Sequence, residues 1–96
     1  MIRQLSIVGV GLLGGSVAKA ARLGGLARRI VGVGRDPERL RPAVEDGTLD
    51  TAVTDLEAGV READVILLAA PVLANRVLYL RNTQGEFVGL DLRKGK

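Results

Sequence analysis

The sequence predicts an α/β fold: a partial Rossmann-like parallel sheet in the order βαβαβαβ, followed by a C-terminal β-hairpin. Three observations predict it. Apolar, strand-like runs alternate with stretches of helical period from residue 4 to residue 72, the pattern of a parallel sheet with helices packed on its faces. The first run passes straight into "IVGVGLLGGS", which holds four glycines within ten positions. After residue 73 the helical period gives way to two alternating segments around a turn-forming "NTQGE".

Residues 4–8, "QLSIV", form a short buried strand in this reading. Residues 12–24 follow as a helix, with Leu13, Val17, Ala20, Ala21 and Leu23 near a 3.6-residue period and Gly24-Gly25 as its stop. "RRIVGVG", 28–34, is the second strand. Asp36-Pro37 then supplies an N-cap with proline at the first helical position, and the helix runs to about Asp46, ended by Gly47. "TAVT", 51–54, is a short strand, and Asp55 caps a third helix over "LEAGVREA". "DVILLAAPV", 64–72, is the most apolar stretch and fits a strand covered on both faces. In the hairpin, Leu78 and Leu80 alternate with Val77, Tyr79 and Arg81, while Val88, Leu90 and Leu92 alternate with Phe87, Gly89 and Asp91. The implied organisation is a dinucleotide-binding unit over 1–73 and a hairpin segment over 74–96, packed on the same domain.

Composition narrows the function. Of 96 residues, 47% are hydrophobic, enough for a core that must be aliphatic because Tyr79 and Phe87 are the only aromatics. The chain has no Cys and no His. Disulfides and thiolate chemistry are excluded, and the commonest metal ligand and general base near neutral pH are missing. No metal site and no catalytic residue stands out. The net charge is +3. Arg22, Arg28, Arg29, Arg35, Arg39 and Arg41 cluster, but Asp36 and Glu38 interrupt them, which fits a solvated surface better than a nucleic-acid interface. No run reaches the ~18 apolar residues of a membrane span, no signal-peptide pattern opens the chain, and a cytoplasmic protein is expected.

The glycines carry the most specific signal. Gly9, Gly11 and Gly14 make G-x-G-x-x-G directly after a strand and at the opening of a helix, the setting in which this pattern binds a dinucleotide. The first glycine allows the tight turn, the second lets the backbone approach a pyrophosphate, and the third lets the helix pack on the strand. The helix N-terminus then holds the phosphate charge. NAD sites carry an acidic residue at the end of the second strand; here that position is Gly34, followed by Arg35. A guanidinium there suits the 2′-phosphate of NADP. Asp36 leaves NAD open as the alternative: as a ribose ligand it favours NAD, and as the helix N-cap it does not bear on the choice.

At these residues the chain resembles the prephenate/arogenate dehydrogenase family. The resemblance rests on "VGVGLLGGSVAKA" at 8–20, "VGVGRDPERL" at 31–40, "DGTLDTAVTDL" at 46–56 and "ADVILLAAPV" at 63–72, and covers about residues 2–73. It implies NAD(P)-dependent oxidative decarboxylation in tyrosine biosynthesis. It further implies that Gly9, Gly11, Leu12, Leu13 and Gly14 form the phosphate loop, that Gly34, Arg35 and Asp36 lie beside the adenosine ribose, and that Ala70, Pro71 and Val72 pass near the dinucleotide. The family's catalytic His has no counterpart, and residues 74–96 do not follow the family pattern. The expectation is therefore a truncated cofactor domain joined to a foreign segment, a chimera or frameshifted product. Such a chain is expected to bind NADP (alternatively NAD) without dehydrogenase turnover and to self-associate through an exposed sheet edge or by strand swapping. The alternative is a structural module that retains no ligand.

Overall fold

The computed structural model describes residues 2–10, 12–69, 76–81 and 85–91. The elements are β1 (Ile2–Val8), α1 (Leu12–Gly24), β2 (Ala27–Val33), α2 (Pro37–Glu45), β3 (Thr51–Val53), α3 (Leu56–Val60), β4 (Val65–Ala69), β5 (Arg76–Arg81) and β6 (Phe87–Asp91). They build one six-stranded sheet in the order β3-β2-β1-β4-β5-β6. The first four strands in that order are mutually parallel, and β5 and β6 run antiparallel to their neighbours. The expected Rossmann-like half-sheet and C-terminal hairpin are both present.

Boundaries moved for local reasons. β1 begins at Ile2 rather than residue 4, because Ile2 pairs with Ala27 and its amide donates to the Leu26 carbonyl. α3 stops at Val60, short of the expected Ala63: Ala63 folds back to donate to the Val60 carbonyl, and the chain enters β4. Residues 70–72, expected in the fourth strand, lie outside the described residues, as does Leu92 of the expected hairpin.

The core is aliphatic, as composition requires. Leu5, Ile7, Ile30, Val65 and Leu67 project from one face of the sheet onto Ala18 and Ala21 of α1, with Leu49 filling the same cluster. Ala43 and Val44 of α2 pack against it. The expected apolar stripe of α1 is rotated: Ala20 is exposed and Leu23 is 88% exposed, whereas Ala18 is fully buried. Gly14, Ala18 and Ala21 follow i, i+4, i+7 spacing, so the smallest side chains set the face that touches the sheet. α3 covers the opposite face, where Gly59 abuts Val33 and Val53 so closely that a Cβ would collide with the Val33 side chain. Ser6, fully buried beneath α3, donates to the Gly59 carbonyl at 2.6 Å and accepts from the Gln4 amide nitrogen at 3.2 Å. Its hydroxyl thus stays hydrogen-bonded away from water.

The register aligns the carboxyl edge of the sheet. Val53, Val33, Val8, Leu68, Val77 and Asp91 form one row across all six strands. The next level toward that edge holds Gly34, Gly9, Ala69 and Arg76.

Candidate dinucleotide site

The turn after β1 is built by glycine. Gly9 has φ +87°, which an L side chain rarely adopts. Its amide donates to the Val33 carbonyl at 3.0 Å, adding one rung to the β1·β2 ladder before the chain turns into α1. Gly14 lies in the first turn of α1, where a Cβ would sit 2.8 Å from the Gly9 carbonyl oxygen and 3.2 Å from Ile7 Cγ2. Only glycine lets this helix start so close to the strand. Gly11 lies outside the described residues. Leu12 and Leu13 open α1.

The three helix N-termini differ. Asp36 caps α2, its carboxylate accepting from the Glu38 amide at 3.0 Å, and Asp55 caps α3, accepting from the Ala58 amide at 3.0 Å. Each of these helices also carries an acidic residue in its first turn, Glu38 and Glu57 respectively. α1 has no acidic residue in its first turn, and Val10 and Gly11, which precede it, carry no side-chain acceptor. Its first-turn amides and positive dipole end are left for an external anion or water. An anion of pyrophosphate type fits this arrangement: among the described residues no first-turn carboxylate of α1 competes for the amides.

At the end of β2 the Gly34 amide donates to the Val53 carbonyl at 3.1 Å. A Cβ on Gly34 would lie 3.2 Å from Leu40 Cδ1, so only a flexible side chain borders this position, where the sequence supplies no carboxylate. Arg35 is exposed and makes no hydrogen bond or ion pair with another described residue. Of the two roles open to Asp36, the structure shows the N-cap. Ala70, Pro71 and Val72, expected beside the dinucleotide, lie outside the described residues.

Sequence reasoning passed over Gly32. A Cβ there would fall 2.7 Å from Leu49 Cδ1 and 3.1 Å from Val10 Cγ2, so the gap at Gly32 seats Val10 of the loop over β2. The signal was present: a glycine inside an apolar strand marks close approach of another segment. Among the described residues, no group of acidic side chains could hold a metal ion, and no helix is long and apolar enough to cross a membrane.

Comparison with known proteins agrees with this geometry. The family model described as NADP oxidoreductase, coenzyme F420-dependent, matches residues 4–86, past residue 73 and into the hairpin. The chain belongs to this family. Prephenate dehydrogenase of Bacillus subtilis (strain 168) is similar, with 33% identity over 66 residues, covering 69% of this chain and 18% of that protein. A solved prephenate dehydrogenase from A. aeolicus, in complex with hydroxyphenyl propionate and NAD+, shares 34% identity at a TM-score of 0.66. That match covers 75% of this chain and 26% of the solved chain. The resemblance to prephenate dehydrogenases and the NAD(P)-binding, Rossmann-like fold therefore stand. The chain spans about a fifth to a quarter of these family relatives.

Proposed function

We propose that the chain binds NADP, with Gly9, Gly11, Leu12, Leu13 and Gly14 around the pyrophosphate and Arg35 on the 2′-phosphate. The observation that carries this reading is the first turn of α1: a helix start opened by glycine, packed at Gly14 to a distance no Cβ allows, with no carboxylate to neutralise it. Gly34 and the N-cap role of Asp36 favour NADP over NAD, because neither supplies a free carboxylate to the ribose. In this assignment Ala70 and Pro71, which come directly after β4 in the sequence, border the nicotinamide half. When bound, the cofactor supplies hydride chemistry; the residues supply charge, orientation and close backbone approach.

Residues 1–73 form the cofactor unit in this proposal and residues 74–96 a second segment, whose β5 and β6 extend the sheet. Without a histidine to take a proton, we assign cofactor binding rather than prephenate turnover to these residues. The direct test is titration of the purified chain with NADPH and NADH, read by nicotinamide fluorescence or calorimetry. Saturation, with NADPH the tighter ligand, is expected; no binding of either at millimolar cofactor overturns the assignment. A second reading, self-association, is favoured by β6, whose outer edge pairs with no strand among the described residues. Light scattering checks it, and a monomer at every concentration refutes it.

A further inference from the structure

The hairpin brings a cation to the same edge as the glycine turn. Ala69 pairs with Arg76, and Val8 pairs with Leu68, so Arg76 stands level with Gly9, two strands away. Two strand spacings amount to about 10 Å between those backbones. Arg81 closes the same strand at the opposite edge, where it pairs with Phe87. One strand therefore carries an arginine at each end, and only one of them lies at the edge of the proposed site.

We propose that Arg76 is a second anchor for the dinucleotide and binds the phosphate on its nicotinamide side. The proposal rests on the NADP assignment above. With the pyrophosphate at the N-terminus of α1, between β1 and β4, the nicotinamide half extends toward β5. The register places an arginine at the first position of β5 on that edge, and guanidinium matches phosphate in charge and geometry. The antiparallel entry of β5 is what delivers it: a parallel strand would begin at the far edge of the sheet.

The experiment compares two ligands on three proteins. NADPH carries both halves of the dinucleotide, whereas 2′,5′-ADP carries only the adenosine half. Wild type, Arg76→Gln and Arg81→Gln are each titrated with both. Arg76→Gln should weaken NADPH about tenfold or more, the size of a lost charge-assisted hydrogen bond, and leave 2′,5′-ADP unchanged. Arg81→Gln should change neither. Retained 2′,5′-ADP binding also shows that the variant is folded. Equal weakening of both ligands by Arg76→Gln, the same loss in Arg81→Gln, or no change at all overturns the proposal. Wild-type protein that binds neither ligand instead refutes the underlying NADP assignment.

Discussion

Asp50 and Ile30 hold each other twice. The Asp50 amide donates to the Ile30 carbonyl at 2.8 Å, and the Ile30 amide donates to the Asp50 carboxylate at 2.7 Å. The same oxygen accepts from Arg22 of α1 at 2.6 Å. β3 pairs with β2 only from Val31 onward, so at Ile30 a side chain stands in for the missing strand. Asp50→Ala should therefore lower stability by about 1–2 kcal/mol, the range for a partly exposed hydrogen bond to a charged group. Urea denaturation measures this, and an unchanged midpoint refutes it. Cofactor affinity should be unaffected, because the cluster lies away from the Gly9 turn.

Acid should destabilise the fold through this group and through Asp64. Burial pushes the Asp50 carboxyl up, but the Arg22 guanidinium and the Ile30 amide outweigh it and hold it below its ordinary value. At Asp64 burial is likewise outweighed, by the Gln4 amide and by Arg3. A carboxylate whose folded pKa is depressed contributes stability that is present above the unfolded pKa, about 3.9, and is lost as pH falls through the folded value. With no His in the chain, stability should be nearly flat from about pH 8 to pH 5 and fall below about pH 4. Asp50→Asn and Asp64→Asn should each flatten that fall; a rise in stability on acidification contradicts the account.

Much of this was legible in the sequence, for reasons that are local. α1 follows its strand through a glycine motif, α2 begins at Asp36-Pro37, and Gly85, with φ +85°, sits in the expected hairpin turn. These signals act within a few residues of the feature they set. The rotation of α1 was not legible, because Val17, Ala18, Ala20 and Ala21 differ little in hydropathy. What turns Ala18 inward is the contact between Gly14 and a strand the helical period cannot see. The position of Arg76 escaped for the same reason: it depends on the register of β5 against β4, and no residue near it specifies that pairing.

Gly14 and Gly15 are adjacent glycines with opposite expectations. A methyl on Gly14 meets a backbone oxygen and a buried isoleucine, so Gly14→Ala must displace the start of α1. It should cost about 1–3 kcal/mol, as overpacking does, and weaken NADPH binding. At Gly15 a Cβ meets nothing within 4 Å. In a helix, alanine there should add about 0.5–1 kcal/mol. Thermal unfolding of the two variants checks both signs; a stabilised Gly14→Ala would mean the close approach is not what requires glycine.

Under the proposed NADP assignment, the choice of cofactor turns on two neighbouring residues, Gly34 and Arg35, that can be exchanged separately. Gly34→Asp places a carboxylate at the proposed ribose position, and the Leu40 side chain bordering it can yield the few tenths of an ångström required. Repulsion of the 2′-phosphate should weaken NADPH, while a new hydrogen bond to the 2′-hydroxyl should strengthen NADH, each by about tenfold. Arg35→Gln should weaken NADPH by a similar factor and leave NADH unchanged, because only NADPH carries the phosphate it meets. The double variant should prefer NADH. Titration of the four proteins with both cofactors gives the answer directly. Equal weakening of NADPH and NADH by Arg35→Gln would mean that this arginine serves the pyrophosphate or the fold, and the 2′-phosphate would then need another cation to receive it.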